Sequence, residues 1–255
     1  MSEPIRAVDR ALDVLLCFSP DSPELSMTQI SEKVGMHKST VHRLLATLEN
    51  KHFVERDAVT GLYQPGNSLL QMAFLTLGKN DLNGVAAPYM NQLHEKYRET
   101  ITLSILDETD MVYIAVQESQ QAVKLAAKPG QRLPAFSTAS GKVTIAFSSE
   151  EIIKRIFDHG FPQLTEYTIK EPEKMKQILQ KVRERGFAYS EQEHEEGINA
   201  VAASILDKDN HPLAAIAVAG PAYRLPLDRM MEIGPSVLEA AKEITKELVF
   251  ISKIK

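Results

Sequence analysis

The segment that most constrains this chain runs from Ser26 to Asn50, where two helical patterns stand only a few residues apart. Met27 to Val34 carries Ile30 and Val34 at helical spacing, and His37 to Asn50 places Val41, Leu44, Leu45 and Leu48 at i, i+3, i+4 and i+7. Ser26 with Gln29 three residues on makes a capping box for the first helix, and Gly35 is its natural stop. The link Gly35-Met36-His37-Lys38 is too short for anything but a sharp change of direction.

A further pattern precedes this pair, Ile5 to Phe18 with Val8, Leu12, Leu15 and Leu16. After the pair, HFVERD and GLYQPG flank Ala58-Val59-Thr60 with Gly61 at the turn, the mark of a β-hairpin. Three helices and a hairpin predict a winged helix-turn-helix over 1–66.

At about 100° per residue, Ser39, Arg43, Ala46 and Thr47 point away from the apolar stripe of the His37–Asn50 helix, with Thr40 and His42 on its flanks. A face made only for solubility carries Glu/Lys pairs, whereas hydroxyl, imidazole and guanidinium groups suit phosphate oxygens and base edges. For an isolated helix a solvated face is the competing reading, so the surroundings decide. From Lys33 to Arg56 there are five Lys/Arg against two acids, with His37, His42 and His52 besides. The whole chain has a formal charge of −5, which excludes a coat protein basic all over and makes any nucleic-acid site local.

A length of 255 residues with 44% hydrophobic content suits one large or two modest globular domains. Cys17 is the one cysteine, so intramolecular disulfides and Cys-based zinc clusters are excluded; it lies in an apolar helical run and carries no expected chemistry. No apolar run approaches 18 residues and MSEPIRAVDR lacks a signal core, from which a soluble cytoplasmic protein with no membrane partner is expected.

From Asn67 to Leu77, Leu69, Leu70, Met72, Phe74, Leu75 and Leu77 crowd more than half of a helical surface. A linker helix over 67–82, packed on both domains or on a second subunit, explains this; a single internal core helix is the alternative. The remaining 83–255 reads as a helix near Val85–Tyr97, strand-like runs ITLSIL and MVYIAV followed by KLAAK, and helices near Thr138–Phe147, Glu150–Asp158 and Pro172–Arg185. Strands at Asn199–Leu206 and Leu213–Ala219 and a closing helix from Leu227 to Phe250 complete it. Strands joined by short polar turns, with helices outside, predict an α+β domain on a mixed, largely antiparallel sheet.

Catalytic signatures are absent: no G-x-S-x-G, G-x-G-x-x-G, G-x-x-x-x-G-K-[ST] or H-E-x-x-H. Glu193-His194-Glu195-Glu196 are adjacent residues that converge poorly on one ion, so no metal, no cofactor and no catalytic residue is expected. In RLPAFSTASGKVTIA, Ser137, Thr138 and Ser140 precede or open an apolar helix, whose free N–H groups and dipole suit a carboxylate or phosphate. Ordinary N-capping is the alternative. Downstream, EQEHEEGINAVAASIL and LAAIAVAGP are rich in small residues, which either leave a cavity or let helices pack closely.

The stretch MTQISEKVGMHKSTVHRLLATLENKHFVERD resembles the winged helix-turn-helix of the IclR family of bacterial transcription regulators. The likeness continues through STASGKVTIA, EEGINAVAASILD and LAAIAVAGP, in order along nearly the whole chain. It implies a homodimer, often paired into a tetramer, binding double-stranded operator DNA as a repressor near a catabolic operon. It also implies a GAF-like effector domain for a small-molecule carboxylate.

The operator contacts it implies fall on Lys38, Ser39, Thr40, His42 and Arg43, with Thr28 and Gln29 from the preceding helix and Arg56 from the wing. The implied effector residues are Ala139, Ser140, Gly141, Ser190, Ile198, Ala200, Ala217 and Ala219, to which the hydroxyl of Ser137 is added from the helix-start argument. Members that bind small keto acids carry an acid, a cysteine or serines where this chain has Ser190, Ala200, Ala217 and Ala219; three of these are alanine here. A roomier, less polar pocket is therefore expected, suited to a sugar-derived keto acid or an aromatic carboxylate rather than to glyoxylate or pyruvate. The expected coupling is mechanical, through the Asn67–Leu77 helix to the dimer geometry. The competing reading is an enzyme or sensor for the same metabolite, with the N-terminal domain only an assembly module.

Overall fold

The computed structural model describes residues 5–19, 21–77 and 82–254, with side chains described throughout except at 74–77 and 251–254. The chain divides into two compact units, Met1–Lys79 and Asn80–Lys255.

The first unit holds α1 (Arg6–Leu16), α2 (Met27–Val34), α3 (Lys38–Asn50), the antiparallel pair β1 (Val54–Arg56) and β2 (Tyr63–Pro65), and α4 (Asn67–Leu77). The capping box at α2 is formed: the Gln29 N–H donates to Ser26 Oγ at 3.3 Å, and Gln29 Oε1 accepts from the Ser26 N–H at 2.9 Å. Gly35 ends the helix at φ +64°, a left-handed conformation that a side chain would resist. His37 caps α3, its Nδ1 accepting from the Ser39 N–H. Between the wing strands, the Asp57 carboxylate accepts from the N–H groups of Val59 and Thr60 and from the Thr60 hydroxyl, which closes the turn.

Val14, Ile30, Val41, Leu45, Leu48, Val54 and Tyr63 form the core, with Leu44 partly buried beside them. The predicted α1 is a helix, but its apolar stripe is only partly covered. Val14 is its buried residue, whereas Val8, Leu12 and Leu16 are more than half exposed, as is Ile5. Periodicity identifies an apolar face but not its cover, and this small core reaches only one side of α1. On α4, Leu70 and Met72 are also exposed. Phe74, Leu75 and Leu77 as side chains, and 78–81 of the predicted linker helix, lie outside the described residues.

The second unit begins with α5 (Leu82–Tyr97), then β3 (Thr100–Asp107), β4 (Asp110–Gln117), β5 (Arg132–Pro134), a 3-10 turn over 135–137, α6 (Ala139–Phe147), α7 (Glu150–His159) and α8 (Pro172–Arg185). It continues through β6 (Phe187–Glu191), β7 (Ile198–Leu206) and β8 (Pro212–Pro221) to α9 (Leu227–Ile254). The sheet order is β5-β4-β3-β8-β7-β6, and every pairing is antiparallel. Two strands, β5 and β6, go beyond the sequence reading, and KLAAK forms no described secondary structure. Instead Leu125 and Ala127 pack on Tyr113 and Leu133 without joining a ladder.

The two sheet faces differ in side-chain size. Toward α5 and α9 the strands present Ile101, Leu103, Val201, Ile205, Ile216 and Val218. Toward α6 the paired residues are small: Ser190–Ala200–Ala219 in one row and Ala188–Ala202–Ala217–Thr102 in the next. Alternation along each strand separates the two sets. The small residues let α6 lie close to the sheet at Ala202 and Ala215 and leave space further along at Ala200, Ala217 and Ala219. No described helix is long and apolar enough to cross a membrane.

Candidate functional site

On the outer face of α3, Lys38, Ser39, His42 and Arg43 are exposed and Thr40 half-buried; Thr28 and Gln29 of α2 and Arg56 of the wing are exposed as well. Several are pre-engaged. The Ser39 hydroxyl lies 2.9 Å from His37 Nδ1, and the Gln29 carbonyl oxygen is held by Ser26. Arg56 donates from Nε to the Gly61 carbonyl oxygen and stacks its guanidinium 5.5 Å above the Tyr63 ring. Arg43 sits at the side of α3, where with Thr40 and Thr47 it also walls a groove against α1. The cap residue His37 was not singled out from sequence, although its place immediately before the helix is a usable signal.

In the second unit, a cavity opens over the alanine floor at the start of α6. Seven of the nine predicted residues line it: Ala139, Ser140, Ser190, Ile198, Ala200, Ala217 and Ala219. Thr138 caps α6 by accepting from the Gly141 N–H at 2.9 Å, so the N–H groups of Ala139 and Ser140 keep no acceptor among the described residues. The other two predicted residues act from behind. Ser137 Oγ is 3.2 Å from His194 Nδ1, which it positions. Gly141 faces the backbone of Ala135, where an added Cβ would lie 1.9 Å from the carbonyl oxygen.

Sequence reasoning missed the far wall: Tyr113, Gln131, His194 and Glu195. Burial pushes the Tyr113 phenol up to about 12, so it is a hydrogen-bond donor at neutral pH. Burial also holds the His194 imidazole below its usual value, against a smaller opposing pull from Glu195. The expectation of a roomier, less polar pocket meets a divided outcome: the floor is apolar, the walls are polar, and the free volume is only about 50 Å³.

Of the EHEE run, His194 and Glu195 face this cavity, while Glu193 turns the other way to pair with Lys142 at 2.5 Å. Lys142 is 1% exposed and Glu193 5%. Among the described residues no group of three His, Cys, Asp or Glu is placed to hold a metal ion.

Two family profiles match the chain, the IclR helix-turn-helix domain over residues 7–58 and the bacterial transcriptional regulator IclR C-terminal domain over 74–246. The chain belongs to the IclR family. It is similar to the transcriptional repressor IclR of Escherichia coli (strain K12), 29% identical over 94% of this chain and 89% of that one. Among solved structures it resembles the Thermotoga maritima IclR, with 28% identity, a TM-score of 0.75, and coverage of 95% of this chain and 98% of that one. An IclR homologue from Microbacterium hydrocarbonoxydans, solved with 4-hydroxybenzoate, shares the fold at a TM-score of 0.83 and 21% identity, covering 95% and 98%.

This IclR-family chain is thus a DNA-binding transcription regulator with a winged helix-turn-helix and a ligand-binding C-terminal domain. Its DNA-binding unit is the module that carries the exposed polar face of α3.

Proposed function

We propose that the chain is a repressor of a catabolic operon that works as a homodimer and responds to a small organic acid. The observation that carries the effector half is the cavity at the start of α6. There two unpaired N–H groups, the Tyr113 hydroxyl and His194 converge above alanines 200, 217 and 219. A carboxylate docks on the N–H groups, and the alanine floor takes the carbon skeleton.

Ligand pockets span roughly 300–1,000 Å³, far above the free volume here, so the wall bearing Tyr113 and Leu125 must yield on entry. Binding is then a change of shape as well as of occupancy, which a two-state regulator requires. The relative solved with 4-hydroxybenzoate supports an aromatic carboxylate, alongside the sugar-derived keto acids of the sequence reading. Exposed Ile5 at the cap of α1, Val8, Leu12 and Leu16 on it, and Leu70 and Met72 on α4 support self-association through the DNA-binding unit.

For the DNA half, the exposed residues Lys38, Ser39, His42 and Arg43 enter the major groove, with Thr28 and Gln29 of α2 and Arg56 of the wing alongside. Arg43→Ala is expected to abolish binding to the specific operator. Lys38→Ala is expected to weaken binding to all sequences alike and to reduce the salt slope by about one. Gel shifts on the DNA upstream of its own gene, at several salt concentrations, check both; unchanged operator affinity in Arg43→Ala would remove that residue from the interface.

For the effector half, a thermal-shift panel of aromatic carboxylates and sugar acids should contain one that adds roughly 2.7 kcal/mol at 100 times its Kd. The same compound should shift the operator complex in a gel. A compound that is turned over, with no DNA shift, favours the enzyme reading instead.

A further inference from the structure

Behind the turn that walls the effector cavity lies a second cavity of about 380 Å³, between α8, β6 and the 192–193 segment. Its lining includes Lys174, Ile178, Lys181 and Arg185 of α8, which recur at i, i+4, i+7 and i+11 and so form one stripe of the helix. With Lys142 they face the carboxylates of Glu191 and Glu193, which leaves two positive charges in excess inside a chain of net charge −5.

The cations of α8 that line it are unspent. Elsewhere on α8, Lys176 pairs with Glu173, but Lys174 and Lys181 make no ion pair among the described residues. Arg185 uses Nε on the Phe187 carbonyl oxygen and lays its guanidinium 4.5 Å from the Tyr189 ring, and its two terminal nitrogens have no acceptor among the described residues.

The decisive observation is on the opposite wall. Glu193 is 5% exposed; its Oε1 is taken by Lys142, yet its Oε2 is buried with no hydrogen-bond partner among the described residues. A buried carboxylate oxygen left without a donor is costly, and a bound molecule that supplies one removes the cost.

We propose that this cavity is a second small-molecule site, separate from the effector cavity. It takes a hydroxylated anion, with a hydroxyl donating to Glu193 Oε2 and the anionic group held by Lys174, Lys181 and Arg185. The rings of Tyr167 and Tyr189 at its border cover the carbon face of a polyol. A sugar acid and a sugar phosphate share this chemistry. Because Gln192 and Glu193 line this site while His194 and Glu195 line the effector cavity, one turn separates the two occupants.

The test uses the full chain with ¹³C-labelled isoleucine and alanine methyls, titrated separately with D-gluconate, D-glucose 6-phosphate, acetate and sulfate. Ile169 and Ile178 report this cavity, and Ala139, Ala200, Ala217 and Ala219 report the other. Saturable shifts at Ile169 and Ile178 are expected with gluconate or with the sugar phosphate, and whichever binds names the anionic group. Acetate and sulfate, which lack a hydroxyl, should bind at least about tenfold more weakly, about 1.4 kcal/mol. The double charge reversal Lys174→Glu with Lys181→Glu changes exposed residues only and should weaken binding by a similar factor or more.

The proposal is overturned by any of four results. Neither polyol anion saturates these methyls by about 10 mM, the shifts fall on the alanines alone, sulfate binds as tightly, or the double reversal leaves affinity unchanged. None of these overturns the effector reading, which is scored on the alanine methyls and on operator binding; shifts on the alanines alone would place the polyol anion in the effector cavity instead.

Discussion

Glu193→Ala is expected to cost about 3–5 kcal/mol of stability, because it leaves the ammonium of Lys142 buried without its counter-charge. An exposed ion pair would give a tenth of that. The double variant Lys142→Met with Glu193→Leu replaces both charges by apolar groups of similar volume and should recover most of the loss.

A pH series sharpens the test. Burial lowers the Lys142 pKa, and Glu193 is the main influence that raises it again. Between the lowered folded value and the ordinary unfolded one, about 10.4, the unfolded chain holds more protons than the folded one, so stability rises with pH. In Glu193→Ala that window widens, and the deficit should shrink as the solution is made alkaline. Urea midpoints across the range measure it; a deficit independent of pH would mean that packing, not charge, was lost.

Gly141→Ala is expected to destabilise by about 3 kcal/mol or more, at the upper end of the overpacking range. Its Cβ would meet the Ala135 carbonyl oxygen at 1.9 Å and the Ala135 carbonyl carbon at 2.4 Å. These are backbone atoms, fixed in part by the hydrogen bond from the Ala135 N–H to Thr109 O, so no rotamer change relieves the contact. Either the 3-10 turn or α6 must move, and with it the Ala139 and Ser140 N–H groups. A lowered urea midpoint with an unchanged m-value, together with loss of the effector's thermal shift, is the expected pair of results. Loss of neither would show that the turn is more compliant than the contact implies.

These two positions also mark where sequence reasoning stops. The α2–α3 pair was legible because each signal is local: the Ser26–Gln29 box, Gly35, and a stripe within one helix. The alternation of β7 and β8 was legible too, and the alanine-rich runs fall on one face for the same reason. Lys142 looks like an ordinary helix-surface residue in ASGKVTIA, and its burial depends on a partner 51 residues away. Tyr113 sits in MVYIAV as one more strand aromatic, and that its face looks into the cavity depends on Leu125, Leu133 and residues of β7 and β8 that lie far along the chain. On α1 the stripe was visible, but what covers it was not, since exposure belongs to the assembled unit rather than to the helix.

The order of the sheet has a consequence for how the chain is made. At its centre β3 pairs with β8, joining residues 111 to 119 positions apart, such as Ser104 with Ala215 and Thr100 with Ala219. The hairpin of β3 and β4 therefore waits, with an open edge, until more than a hundred further residues have been synthesised. Such high contact order makes for slow folding. At a translation rate of about 5–20 residues per second, the first unit, all of whose partners lie within Met1–Lys79, is complete several seconds before the sheet can close. The DNA-binding half is thus born early, and the ligand-binding half arrives late.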